Sequence, residues 1–355
     1  MKRLFFAVLA VATLASCAKE EAIRVDQGEA IAFGNAFVDN SVRAIDPSYG
    51  ATNVVNGEDV INNITSFKVW GTANDVLIYD DAVVTKGTAD YNSEWSCSAA
   101  QQYWIPGVVY NFVGIVDGDV TNVTSTTPVD GMPTTITYKA DGETDLLCQT
   151  IRKTASASGN GLVAFNFTHL LSKVNFTVVN NSKNATGYSF VVKNIKFNGN
   201  TYGECNVASL SADSNANAAW ASDKFETGET SVGNDCTVND ETVKGIVVAT
   251  GAASAELATE VLFLPGTQGI SFDVDILYGS KTITTTSYPA AGATYSYALV
   301  ANKAYNFKVE VSVGEPIKFT VETLPTWDNG NTVDTSDPTD GKNDVVPVVP
   351  VVPAN

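Results

Sequence analysis

Short runs of strictly alternating apolar and polar residues constrain the fold of this chain more than any other feature. Residues 272–278 read FDVDILY and residues 305–311 read YNFKVEV, so that large apolar side chains recur at every second position. Successive side chains of a β-strand point to opposite faces, and this period is typical of antiparallel strands with one buried face. The sequence contains no long pattern with the period of an amphipathic helix. It predicts an all-β fold.

Similar apolar runs, separated by turn residues, recur from EAIAFGNAF at 29–37 to PIKFTVETL at 316–324. A long series of short strands is typical of sandwich or barrel architecture. The length of 355 residues favours two domains, and THLLS at 168–172 offers a turn or a brief helix between two halves. We therefore expect two β-sandwich domains in tandem, at 44–170 and 171–327.

The composition changes after Trp327. Residues 328–344 are rich in Asp, Asn, Gly and Thr, which favours disorder. The last residues, VVPVVPVVPAN at 345–355, place a proline at every third position, which favours an extended polyproline II conformation and removes backbone donors from a strand. We expect a flexible acidic and proline-rich tail at 328–355. Two roles stay open for its valines: an extended spacer, or an edge-pairing segment that enters an apolar groove.

The N-terminal end carries an export signal. Two basic residues precede an apolar run at 4–14 that is too short to span a bilayer. The sequence Leu-Ala-Ser-Cys at 14–17 resembles the bacterial lipobox, in which the cysteine is acylated and becomes the first residue of the mature protein. An ordinary signal peptide that ends near a cysteine is the alternative. We predict a signal peptide at 1–16 and lipidation of Cys17, and KEE at 19–21 resembles the surface-export signal of Bacteroidetes lipoproteins.

The charge and the residue types argue against nucleic-acid binding and against an enzyme. The net charge is -18 at pH 7, whereas phosphates need basic side chains. The single histidine, His169, lies among apolar residues in FNFTHLLSKVNF and is interpreted as a hydrogen-bonded structural residue. No nucleotide-binding motif and no Gly-x-Ser-x-Gly is present, and the aspartates near Gly341 lack EF-hand spacing. We expect no catalytic residue, no metal and no cofactor.

Four cysteines follow Cys17, namely Cys97, Cys148, Cys205 and Cys236, and they lack the paired spacing of a zinc site. An exported protein can form disulfides, and Cys205 could pair with Cys236 across the polar segment between them. Cys148, in the apolar sequence DLLC, is more typical of a buried free thiol. Spacing alone leaves the pairing open.

Arg43 is one of only four arginines in the chain. It lies in a polar loop, DNSVRAIDPSYG at 39–50, just before Ala44. The preceding strand-like segment places three large apolar side chains on one face: Ile31, Phe33 and Phe37. A solvated surface charge is the simpler interpretation of Arg43. The alternative is a processing site, with cleavage between Arg43 and Ala44.

Taken together, these segments resemble the fimbrillin (Mfa-like) family of Bacteroidetes pilins. The matching pieces lie in the family's order behind the lipobox cysteine and cover residues 17–327. They are IAFGNAF followed by VRA, FKVWGT, YWIPGVVYNFVGIV, DLLCQT, FNFTHLLSKVNF, VLFLPGT, AYNFKVEV and IKFTVETLPTW. The pattern Phe-x-His-x-Leu-Ser-Lys-Val after DLL is the most specific of them. The tail at 328–355 lies outside the resemblance.

The resemblance implies two β-sandwich domains and a mode of assembly. In members that polymerise, a trypsin-like protease cuts after an arginine or lysine in an N-terminal loop. The first strand then leaves with the lipid anchor, and an extended segment of another subunit fills its groove. In this chain the departing strand would be 29–37, within an N-terminal segment at 17–43. Cleavage would follow Arg43, with Arg24 as the competing site, and the Val-Pro run at 345–355 is the candidate donor.

We therefore expect a fimbrial subunit that is exported as a lipoprotein and held at the outer membrane by the lipid on Cys17. After cleavage behind Arg43 it would polymerise by strand exchange into cell-surface fimbriae for adhesion. Its expected partners are other fimbrial subunits and the processing protease. Two alternatives remain. One is a surface-anchored lipoprotein that binds a glycan or a protein through exposed aromatic residues, and the other is an anchor subunit that keeps its lipid and its first strand.

Overall fold

The computed structural model describes residues 28–34, 37–38, 54–55, 58–59, 64, 66–87, 95–116, 123–126, 131–182, 186–238, 241–291 and 293–324. The residues predicted to be lipidated or cleaved, Cys17, Arg43 and Ala44, lie outside this part of the chain, as does the tail at 328–355. Within it, all regular elements are β-strands, as the sequence predicts. No helix in the described residues is long and apolar enough to cross a membrane.

The strands are numbered in chain order. The first half of the chain forms β1 (Phe37–Val38), β2 (Val54–Val55), β3 (Glu58–Asp59), β4 (Ser66–Ala73), β5 (Val76–Lys86), β6 (Trp95–Cys97), β7 (Val109–Val116), β8 (Val123–Thr126), β9 (Thr135–Lys139), β10 (Leu147–Thr154), β11 (Asn166–Phe167) and β12 (Ser172–Asn180). The second half forms β13 (Tyr188–Asn206), β14 (Ser214–Asn217), β15 (Ala219–Trp220), β16 (Glu226–Val232), β17 (Asn234–Val238), β18 (Glu241–Val248), β19 (Ser254–Glu256), β20 (Val261–Phe263), β21 (Gly266–Tyr278), β22 (Lys281–Tyr288), β23 (Ser296–Leu299), β24 (Lys303–Val311) and β25 (Lys318–Leu324).

Six strands form the first large sheet, in the order β14-β10-β7-β4-β5-β6, and every neighbouring pair is antiparallel. Alternate residues of the central strand β7 face opposite sides. Tyr110 and Phe112 pack into one apolar cluster, whereas Val113 and Ile115 pack into another. Apolar side chains therefore cover both faces of this sheet, and the face that bears Phe112 forms the floor of the groove described below.

The largest core lies between two further sheets. A five-stranded sheet contains β12, β19, β20, β24 and β25, and a ten-stranded sheet is built around the long strands β13 and β21. Their inward side chains form one cluster, with Phe176 and Phe307 from the first sheet and Phe197 and Phe272 from the second. The ring centroids of Phe176 and Phe272 are 5.6 Å apart. The two sheets thus pack face to face, as in a sandwich.

The direction of one alternating run differs from the expectation. The run at 272–278 lies in β21, which is antiparallel to β13 and β22 as predicted. The run at 305–311 lies in β24, which is antiparallel to β25 but parallel to β12. Alternation indicates that one face of a strand is buried, but it carries no information about strand direction. The long stretch of chain between β12 and β24 supplies the crossover that a parallel pair requires.

Strands from both sides of residue 170 share sheets. β8 and β9 join the ten-stranded sheet, whereas β14 joins the six-stranded sheet. A third apolar cluster contains residues from both halves, among them Trp70 and Leu264. His169 is buried, and its Nδ1 lies 2.5 Å from Asp145 Oδ2, so it is hydrogen-bonded as the sequence predicts. The domain limits at 170 and 171 stay a prediction.

The four cysteines of the described residues carry free thiols. Cys148 and Cys205 are buried in the cluster shared by both halves, whereas Cys236 packs beside Val243 in a small separate cluster. The suggested pairing of Cys205 with Cys236 is therefore wrong, because the two side chains belong to different clusters. The buried free thiol predicted for Cys148 is confirmed.

We expect an alkylating reagent to label Cys97 well before Cys148 and Cys205 in the folded protein. Burial raises the pKa of the Cys148 thiol to about 12 and also raises the pKa of Cys205. Because the thiolate is the reactive form, both buried thiols should be inert at about pH 8. Iodoacetamide treatment and peptide mass spectrometry measure the order of labelling, with a guanidinium-unfolded sample as the control in which all three react. Equal labelling of Cys148 and Cys97 in the folded chain contradicts this burial.

Candidate functional site: the groove of the N-terminal segment

The N-terminal segment at 28–34 lies between two other stretches of backbone and hydrogen-bonds to both. On its first side it runs antiparallel to the residues that precede β7. The Ile31 amide donates to the Gln102 carbonyl oxygen at 2.8 Å, and the Trp104 amide donates to the Glu29 carbonyl oxygen at 2.8 Å. Because these residues precede β7 directly, the segment is tied to the six-stranded sheet.

On its second side the segment runs parallel to the chain that precedes β11. The Val163 amide donates to the Ala32 carbonyl oxygen at 2.8 Å, and the Gly34 amide donates to the Val163 carbonyl oxygen at 3.2 Å. Further along, β1 pairs with β11 in the same parallel sense. The segment therefore bridges two backbone edges, and without it both edges would present unpaired amide and carbonyl groups.

The side chains of the segment alternate between the core and solvent. Ile31 and Phe33 are only 3% and 5% exposed, whereas Ala30 and Ala32 are exposed. Two of the three residues predicted to fill the groove, Ile31 and Phe33, are thus brought together on its buried side. The third, Phe37, belongs to β1, but its side chain lies outside the described residues.

Phe33 occupies an aromatic pocket on the floor of the groove. Its ring centroid lies 5.3 Å from that of Tyr79 on β5, 6.0 Å from that of Phe112 on β7 and 6.4 Å from that of Phe67 on β4. All three rings meet Phe33 edge to face, an arrangement that aromatic pairs prefer. Burial of each large side chain of the segment contributes about 1.5–3 kcal/mol. The pocket residues come from three neighbouring strands, so that a rigid sheet fixes its shape.

The N-terminal end of the segment is held by a carboxylate. Glu29 accepts hydrogen bonds from the backbone amides of Asn160 at 2.5 Å and Gly161 at 2.8 Å. The φ of +65° at Gly161 is a left-handed conformation that glycine adopts easily, and it helps to turn both amides towards one point. Chiefly through the Asn160 and Gly161 amides, and with help from the charge of Lys153, these contacts lower the pKa of the Glu29 carboxyl.

The sequence does not predict the contact of Glu29 with the Asn160 and Gly161 amides. Its partners lie in SASGNG at 156–161, where glycines flank Asn160. Such a turn-rich stretch indicates left-handed backbone and clustered amides, but no sequence signal links it to an acid about 130 residues earlier. Only the folded chain brings the two together.

Metal-ligating side chains and tryptophans are the other features of this part of the chain that bear on binding. The described residues contain no group of His, Cys, Asp or Glu side chains that could hold a metal ion. Of the tryptophans in this part of the chain, Trp70 and Trp104 are buried and Trp95 and Trp220 are half-buried. They pack in or against apolar clusters, so these tryptophans do not form an exposed platform for a sugar.

The fold and the groove together define a class of protein. It is an all-β protein in which the N-terminal segment at 28–34 pairs with backbone on two sides and so completes the sheet structure. The sequence matches the model of the fimbrillin-like family over residues 52–325. The chain belongs to this family. Membership places it among the fimbrial proteins of the cell surface.

Solved structures are similar to this chain at low sequence identity. A fimbrial protein from Bacteroides vulgatus is 14% identical with a TM-score of 0.54, and the match covers 84% of this chain and 98% of that protein. The fimbrial anchor protein Mfa2 from Porphyromonas gingivalis is 11% identical with a TM-score of 0.37, over 84% of this chain and 97% of its own. No curated protein matches the sequence.

Proposed function

We propose that the chain is a structural subunit of surface fimbriae that is exported as a lipoprotein, cut between Arg43 and Ala44, and polymerised by strand exchange. The lipid on Cys17 would hold the precursor at the outer membrane. Removal of residues 1–43 would open the groove. The Val-Pro run at the C-terminal end of a second copy would then fill it.

The observation that supports this proposal best is the way in which the segment at 28–34 is held. Four backbone hydrogen bonds and two buried side chains keep it in the groove. Arg43 lies between this segment and the remaining strands along the chain. A cut there would leave the segment bound only by non-covalent contacts, and its departure would expose two unpaired edges and an aromatic pocket. An extended segment that binds by β-augmentation would pair with both edges and fill the pocket.

The mature N-terminus tests the proposal. We expect protein released from the cell surface, purified as fibres, to begin at Ala44 when it is sequenced by Edman degradation or peptide mass spectrometry. A start at Val25 would place the cut behind Arg24, which frees the lipid and leaves the groove filled. Recovery of intact chains with an acylated Cys17 alone would contradict strand exchange and would favour an anchor or binding lipoprotein.

A further inference from the structure

The carboxylate site of Glu29 is built by the body of the protein and not by the segment that fills it. Its two amide donors belong to Asn160 and Gly161. The Ser156 amide donates to Asn160 Oδ1 at 2.7 Å, and Lys153 Nζ donates to the Asn160 carbonyl oxygen. These bonds brace the loop from within. It should therefore keep its shape when Glu29 leaves, with two amides directed at an empty position.

The site also sets a fixed spacing. Glu29 precedes the buried Ile31 by two residues and the buried Phe33 by four, while the intervening Ala30 and Ala32 face solvent. Two converging amides bind a carboxylate more strongly than a neutral acceptor. A segment that occupies the groove fully must therefore present an acid, any residue, an apolar residue, any residue and a second apolar residue.

The backbone pairing of the segment is compatible with proline at the position of Ala32. Its described hydrogen bonds use the amides of Ile31 and Gly34 and the carbonyl oxygens of Glu29, Ile31 and Ala32. The Ala32 amide takes part in none of them. A proline at this position would consequently remove no pairing interaction, although proline is excluded wherever an amide must donate.

The C-terminal tail matches both requirements. Its sequence DVVPVV at 344–349 places Asp344 two residues before Val346 and four before Val348, with Pro347 at the position of Ala32. The proline period of three would allow two further registers, with Val349 or Val352 in place of Ile31. In these registers a proline, Pro347 or Pro350, would replace Glu29, and the amides of Asn160 and Gly161 would stay unpaired.

We propose that the amides of Asn160 and Gly161 form a carboxylate subsite that sets the register of the incoming strand. Asp344 of a second copy takes the place of Glu29, and Val346 and Val348 take the places of Ile31 and Phe33. This inference rests on the proposed strand exchange. It adds that the donor is recognised by its acid, and that the acid selects one of three registers allowed by the proline repeat.

Three full-length variants test the recognition of the acid. Asp344→Asn should slow fibre assembly after cleavage about tenfold or more, because it removes a charge-assisted pair of hydrogen bonds. Asp344→Glu, which restores the length of the Glu29 side chain, should assemble at least as fast as the wild type. Asp340→Asn, a matched change of an acid outside the register, should have no effect. Light scattering and electron microscopy after addition of an arginine-specific protease give the rates.

Cross-linking reads the register directly. Ala30 is paired with Tyr103, and the pattern of hydrogen bonds makes this a narrow pair, in which side chains lie close enough for a disulfide. A chain with Tyr103→Cys and Val345→Cys should therefore cross-link between subunits in the fibre under mild oxidation. A chain with Tyr103→Cys and Val348→Cys should not. Mass spectrometry of the linked peptides separates these products from those of the native cysteines.

The outcomes separate the two proposals. Normal assembly of Asp344→Asn, or cross-linking through position 348, overturns the register while strand exchange stands. Wild-type chains that stay monomeric after the cut overturn both. The subsite also has an independent readout in the uncut chain, where Glu29→Gln should raise hydrogen exchange at the Ile31 amide about tenfold. Unchanged exchange there means that the subsite contributes nothing to holding a strand.

Discussion

Arg43→Ala is expected to abolish fibre formation and to leave a full-length, lipidated monomer. In the uncut chain the segment at 28–34 is an intramolecular ligand of its own groove, and a short tether gives such a ligand an effective concentration on the order of millimolar. A donor from another subunit at micromolar concentration cannot compete with it. Cleavage at Arg43 removes this advantage, because a segment that leaves the groove can then diffuse away.

Arg24→Ala is the matched control for this prediction. It removes the other arginine of the region, but a cut behind Arg24 would leave the segment at 28–34 attached to the body. We expect this variant to assemble like the wild type. Electron microscopy of surface material, size-exclusion chromatography and N-terminal sequencing of both variants make the comparison. Fibres from Arg43→Ala chains that remain uncut contradict the cleavage model.

The sequence anticipates the parts of this structure that depend on local pattern. Alternation identifies the half-buried strands and places Ile31 and Phe33 on one buried face, since the side-chain period of a strand is a local property. It does not identify the parallel pairing of β12 with β24 or the aromatic pocket of Phe33, since both depend on which strands become neighbours. The Glu29 subsite has the same origin, because its amides lie far away along the chain.

The way in which strands from both sides of residue 170 share sheets is a further example. The run TITYK that becomes β9 alternates like its neighbours in sequence, whereas VTST of β8 and SNAN of β14 are mostly polar. Nothing in that signal states that β14 will extend the six-stranded sheet beside β10, or that β9 will pair with the far end of β13. Sheet membership is decided by the pairing of edges, and only the assembled structure defines those edges.

Phe33→Ala is expected to lower the free energy of opening of the N-terminal segment from its groove by about 3–5 kcal/mol. The substitution empties a pocket between Phe67, Tyr79 and Phe112. The loss should appear as local opening, with hydrogen exchange at the Ile31 and Val163 amides of the uncut chain faster by about a hundredfold or more. Ile283→Ala, which truncates an apolar side chain that is 54% exposed, is the control and should leave this exchange unchanged.

The same variant distinguishes a departing segment from a permanent one. If residues 1–43 leave on assembly, the mature chains made from Phe33→Ala and from wild-type precursors are chemically identical. Their fibres should then dissociate at the same temperature and the same guanidinium concentration, although the two precursors differ in stability. Fibres from Phe33→Ala precursors that are less stable than wild-type fibres would show that Phe33 still fills the groove in the polymer. Strand exchange at this groove could then not be the basis of assembly.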